Sequence, residues 1–175
     1  MPMTIATASQ TIGPYWGLLE DPSWADLTRF GAQGEKITLT GAILDGDGKP
    51  CPDACVEIWQ SDPPASDSFP GFGRSNTDAR GEYRFVTIRP GPVAGRGNAQ
   101  QAPHIALCIL SRGLMRGLVT RAYFQGEKLN DADPLLSSIE EPARRGTLIA
   151  KPAGASVWRL DVRLQGEGET VFLDI

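Results

Sequence analysis

A chain of 175 residues with a formal net charge of -4, 20 glycines and 14 prolines has the length for one domain with a continuous hydrophobic core, without disulfides or structural zinc. Its basic residues are scattered, which excludes the positive stripe that holds nucleic-acid backbones, and its short, charge-flanked apolar runs exclude a membrane-spanning helix. Cys51, Cys55 and Cys108 make no secreted disulfide framework and, with a single histidine in the chain, no zinc set; residues 1–16 carry no basic-then-apolar leader, so a cytoplasmic protein is expected.

Residues 1–35 read as an amino-terminal arm and loop segment ahead of a core spanning 36–175. Lys36 to Leu44 alternates Ile37 and Leu39 with Thr38 and Thr40 and closes on the turn Asp45-Gly46-Asp47-Gly48, which predicts a strand. Ala54 to Gln60 places Val56 and Ile58 on one face and Glu57 and Trp59 on the other before Asp62-Pro63-Pro64 stops it. Ser61 to Ser75, like Asp21 to Glu35, is rich in Pro, Gly, Asp and Ser and is expected as a long loop. Gly81 to Ile88 is a third strand, ended by Arg89-Pro90-Gly91-Pro92.

His104 to Leu110 is nearly all apolar, the pattern of a strand buried on both faces, and Leu118 to Phe124 follows it. One short helix is predicted, with Asp133 as cap, Pro134 at its first position, an apolar stripe of Leu135, Leu136 and Ile139, and Pro142 at its end. Ser156 to Leu164 alternates throughout, with Trp158, Leu160, Val162 and Leu164 facing a core. Seven or eight short strands with turns between them argue for an all-β, single-domain β-sandwich with long loops and one short helix.

The runs Gly41-Ala42-Ile43-Leu44-Asp45, Ala54-Cys55-Val56-Glu57-Ile58-Trp59-Gln60, Thr77-Asp78-Ala79-Arg80-Gly81-Glu82-Tyr83-Arg84-Phe85 and Thr87-Ile88-Arg89-Pro90-Gly91 carry a pattern. In order and spacing they resemble the intradiol ring-cleavage dioxygenases. Ala102-Pro103-His104-Ile105, Thr120-Arg121-Ala122-Tyr123-Phe124 and Arg163-Leu164-Gln165-Gly166-Glu167-Gly168-Glu169-Thr170 extend the resemblance. With Ser9-Gln10-Thr11-Ile12-Gly13-Pro14-Tyr15 it covers nearly the whole chain, and the first and last of these segments look like the members that act on protocatechuate (3,4-dihydroxybenzoate).

That family opens catechol rings between the two hydroxyls with non-haem iron(III) held by two tyrosines and two histidines, hard oxygen and nitrogen donors suited to a ferric ion. This chain departs from the set. The histidine pair, two apart on one strand, reads His104-Ile105-Ala106, so its second member is alanine. Valine stands at the tyrosine position in Pro90-Gly91-Pro92-Val93, and residues 61–82 hold no tyrosine where the other is expected. The arginine that precedes the histidine pair matches Gln101. Val93, His104 and Ala106 therefore mark a vestigial metal site, and no metal ligand set is expected in this chain.

Protocatechuate-cleaving members are built from two homologous chains, an iron-bearing one and an iron-free one. The resemblance implies that this chain is the iron-free subunit of a higher hetero-oligomer: Fe(III) sits in the partner, and no catalytic residue is contributed here. By motif, Thr11, Gly13, Pro14 and Arg112 would line the partner's substrate pocket, with Arg112 meeting the substrate carboxylate through its planar fork. Gly13 would bring backbone close to the ring.

Residue type alone reads Arg112 as a solvated loop arginine and Gly13-Pro14 as an ordinary turn. Arg116 and Arg121 read as surface or interface charges, Tyr15, Tyr83 and Tyr123 as core or interface aromatics with satisfied hydroxyls, Trp59 and Trp158 as sandwich packing, and Asp131 and Asp133 as capping groups. The competing function is a free-standing β-sandwich binding or structural module derived from the same fold.

Overall fold

The computed structural model describes residues 7–174; the first six residues of the expected arm lie outside the described residues. In chain order the strands are β1 (Lys36–Leu44), β2 (Cys55–Trp59), β3 (Phe72–Asn76), β4 (Glu82–Ile88), β5 (Val93–Ala94), β6 (Gln100–Gln101), β7 (His104–Leu110), β8 (Leu118–Phe124), β9 (Ile149–Gly154), β10 (Val157–Arg159) and β11 (Val162–Arg163). Two helices of one turn each, α1 (Pro134–Ser138) and α2 (Pro142–Gly146), separate β8 from β9. The all-β reading holds.

Strand β1 centres one layer, antiparallel to β4 and parallel to β10 and β11. The other layer runs β3-β2-β7-β8 with antiparallel neighbours. Strand β9 joins them: its start pairs with β8 through Tyr123 and Phe124, and its remainder with β10. The sheet thus folds over on itself, and alternate side chains fill the interior. Leu39, Phe85, Val56, Ile105 and Ile109 are fully buried there, each side chain of this size contributing about 1.5–3 kcal/mol.

Several expectations change at this level. The strand predicted over Ser156 to Leu164 breaks between β10 and β11 because Gly41 lets the Leu160 carbonyl descend onto β1; a Cβ at Gly41 would lie 1.8 Å from that oxygen. Tyr83 donates to the same oxygen at 2.7 Å, and the Ala42 amide is met by the Asp161 carboxylate at 2.8 Å instead of by a strand neighbour. The core face survives the break, since Leu160 and Val162 are buried.

Within the expected loop 61–75 lies most of β3, an edge strand held by pairing with β2 and by the Arg74–Glu57 ion pair. Pro142 ends the stripe after α1 but also opens α2 as its first residue, a position where proline's missing amide is harmless. Strand β9, with Pro152 in it, is a further element beyond those expected.

Strand β7 is not buried on both faces. Ile105, Leu107 and Ile109 point into the core, while His104, Ala106, Cys108 and Leu110 are only half-buried on the outer face. Trp59 lies on that outer face too, 54% exposed, so it does not pack in the sandwich, and its strand neighbour Phe72 is 43% exposed. Trp158 does pack, edge-on to Phe124, with Arg89 stacked over both rings. Among the described residues no helix is long and apolar enough to cross a membrane.

Candidate functional site

Two polar constellations sit at opposite ends of β7. The first gathers the vestigial positions. Val93 and Gln101 face each other across the β5–β6 pair, while His104 opposes Tyr123 and Ala106 opposes Arg121 across β7–β8. Opposed residues in an antiparallel pair share a face with Cβ atoms about 5 Å apart. The Arg121–Gln101 hydrogen bond sets the β5–β6 pair beside β7–β8, so these positions are neighbours.

The residues present do not fit a ferric ion. Val93 and Ala106 have no donor atom. His104 Nδ1 lies 2.8 Å from the Ala102 carbonyl, which can only accept, so Nδ1 carries the hydrogen and Nε2 alone is free to act as a base. Burial, the largest influence, holds the imidazole below the ordinary histidine value of 6.5, with the Arg121 charge acting in the same direction. Tyr123, ring to ring with His104, is no phenolate: burial pushes its hydroxyl up, and the proton is donated to Asp133 Oδ1 at 3.0 Å. Among the described residues no group of three or more His, Cys, Asp or Glu is arranged to hold a metal.

Asp133 is more than a cap. Fully buried, it accepts from the amides of Leu135 and Leu136 at 2.9 and 3.0 Å, from Tyr123, and from the Ala102 amide at 2.8 Å. It thereby ties α1 to β8 and to the segment between β6 and β7. Asp131 is exposed on the preceding 3-10 turn and joins no such network. Arg121, expected as a surface or interface charge, is half-buried, and its Nη1 donates to Gln101 Oε1 at 2.7 Å and to the Tyr123 hydroxyl at 3.2 Å. A cation therefore lies beside Gln101. Arg116 is a surface charge as expected, exposed and 3.4 Å from Asp174.

The second constellation lies beyond the other end of β7. Thr11 Oγ1 donates to the Ser111 carbonyl at 3.1 Å and accepts from the Gly113 amide at 3.2 Å, clasping the arm to the β7–β8 turn. Trp16 Nε1 donates to the Asp53 carbonyl at 3.1 Å, a second anchor. Gly13 and Pro14 span the segment between them. Gly13 has φ +77°, left-handed backbone that favours glycine, and nothing in the chain comes within 4 Å of where its Cβ would be. Tyr15 is 75% exposed and so no core residue.

Arg112 pairs with the Asp53 carboxylate at 2.8 Å while its side chain stays 57% exposed. Asp53, itself at φ 60° in the turn before β2, escaped the sequence reading. Its only signal there is the turn composition Cys51-Pro52-Asp53, which says nothing of a residue far along the chain. Six residues of extended chain part Ala106 from Arg112, about 20 Å. Arg112, Thr11 and the Gly13-Pro14 segment are brought together at the far end of β7 from His104 and Ala106.

Comparison with known proteins supplies the context. A family model described as Dioxygenase matches residues 20–165. The alpha chain of protocatechuate 3,4-dioxygenase from Pseudomonas putida is 39% identical, over 96% of each chain. The beta chain of that enzyme from Burkholderia cepacia is 35% identical, over 78% of this chain and 67% of the relative. Among solved structures, the dioxygenase domain of a dioxygenase–carbohydrate-binding fusion from Streptomyces sp. SirexAA-E superposes with a TM-score of 0.64 at 26% identity, over 90% of this chain and 97% of that one.

Proposed function

This chain belongs to the intradiol dioxygenase family, and from that membership we propose that it is the iron-free alpha subunit of a protocatechuate 3,4-dioxygenase. Its partner is a homologous, iron-bearing beta chain, and the assembled enzyme cleaves protocatechuate with O2 between the hydroxyls to give 3-carboxy-cis,cis-muconate. Ring opening depends on the partner's Fe(III). Three cysteines without a disulfide suit a reducing cytoplasm.

One observation carries the reading: the Thr11 bonds to Ser111 and Gly113 bring the Gly13-Pro14 arm beside the turn that holds Arg112, whose guanidinium is still 57% exposed while paired with Asp53, and nothing in the chain meets the open side of Gly13. A guanidinium presented in this way matches a planar carboxylate with two parallel bonds. In the assembled enzyme Arg112 takes the substrate carboxylate, and the open side of Gly13 lets arm backbone lie against the ring. The outer face of β2, β3 and β7, with Trp59 and Phe72 in solvent, supports a protein contact, since exposed apolar patches of this kind mark interfaces. The positioning that Arg112 and the arm supply lowers the barrier by fixing ring orientation.

Co-expression tests this. The chain is expected to co-purify with an iron-bearing homologue, and the complex to consume O2 with protocatechuate; alone, the chain is expected to be colourless and inactive. A soluble, monodisperse chain indifferent to such a homologue would establish the free-standing module instead. A coloured, ring-opening product free of any companion would overturn both readings.

A further inference from the structure

The vestigial site differs from a metal site by more than missing ligands. Its outer-face row runs Trp59, Ala106, Arg121 across β2, β7 and β8, so the side chain directly opposite the lost histidine is a cation. The guanidinium turns toward Gln101 and Tyr123; it therefore lies among the groups that surround His104, whose ring stacks near Tyr123. Among the described residues no carboxylate comes within ion-pair distance of Arg121. The Asp133 carboxylate reaches it only through the Tyr123 hydroxyl, so the charge is offset at second hand, and both oxygens that the guanidinium itself meets are neutral. A half-buried charge is poorly screened, and its repulsion of a second cation grows with the product of the two charges.

We propose that Arg121 is the resident cation of this site: it stands in for the metal's positive charge within the Gln101, Tyr123 and His104 group and bars metal from it. The chain would then stay metal-free even when ligands are restored, which separates it from a beta chain that has merely lost side chains. Gln101 fits this role, because an arginine at that position would set two guanidinium groups at one oxygen-donor site, whereas the amide oxygen accepts from Arg121. The inference rests on reading positions 93, 104 and 106 as the family's ligand positions, yet its test does not involve assembly or turnover.

The test is zinc titration of the full-length chain carrying Val93→Tyr and Ala106→His, with Arg121 kept, with Arg121→Gln, and with Arg121→Lys. Circular dichroism and denaturant midpoints confirm that each is folded, and the lysine variant keeps the charge if glutamine perturbs packing. The glutamine variant is expected to bind Zn(II) about tenfold or more tightly than the arginine parent, with the lysine variant resembling arginine. Equal affinities in all three, or a lysine variant as tight as glutamine, would overturn the charge barrier. So would the absence of measurable zinc in the glutamine variant, because the obstacle would then be the ligand set alone. Failure of the chain to assemble with a beta subunit would leave these outcomes unchanged.

Discussion

At one end β7 leads out of a network in which Gln101, Tyr123 and Asp133 are each met by a partner inside the chain. At the other it runs into Arg112, which stands in solvent with a single counter-ion from another turn. In the first region the hydrogen bonds close within the chain, and Arg121 reaches the Asp133 carboxylate through the Tyr123 hydroxyl. The second keeps charge, a left-handed glycine and a clasped arm at the surface, where only something outside the chain can use them. The contrast teaches that clustering of polar side chains does not by itself mark a site; on the reading proposed above, it is the exposed charge that a partner can use.

Substitutions can break or sharpen this contrast. Asp133→Ala should have the largest effect, removing four accepted hydrogen bonds at a fully buried carboxylate; about 3 kcal/mol of unfolding free energy is expected to disappear in urea titration. Little change would mean that the network is not structural. In the assembled enzyme Arg112→Ala should reduce turnover of protocatechuate about 30-fold and that of unsubstituted catechol by less than about threefold, without moving the denaturation midpoint. Equal losses on both substrates would remove the carboxylate role.

Smaller still, Thr11→Val unclasps the arm from Ser111 and Gly113 and is expected to weaken substrate binding by about threefold, read as a rise in KM at unchanged stability. The smallest effect is in pH dependence. Because native His104 has a lowered pKa, the unfolded chain binds more protons below 6.5. Stability is therefore complete above that value and declines as pH falls toward the native one. His104→Gln should flatten that decline between about pH 7 and pH 5; an unchanged slope would assign the acid sensitivity elsewhere.

Much of this was legible from residue order. Alternation located β1 and β2, flanking turns β4 and an apolar run β7, and Asp133-Pro134 before an apolar stripe located α1 together with its cap. What escaped depends on cross-strand register. Phe72-Gly73-Arg74-Ser75-Asn76 has no strand pattern of its own and becomes β3 only because β2 offers an edge and Glu57 a counter-charge to Arg74. The break at Leu160 follows from Gly41, more than a hundred residues away. Arg121 looked like any strand arginine, since nothing local says that its opposite number is Ala106. The apolar run of β7 overstated burial because one of its faces is left for another surface.

The Asp53–Arg112 pair has a consequence for how a substrate anion arrives. A bare guanidinium at a protein surface collects buffer and metabolite anions indiscriminately and must shed them and their water before the right one can dock. If Arg112 receives the substrate carboxylate as proposed, an incoming acid competes with the tethered Asp53 carboxylate for the same guanidinium. Such an exchange favours a ligand whose ring is gripped at the same time over one that offers charge alone. On the proposed reading, Asp53 would make the arginine discriminating before chemistry begins.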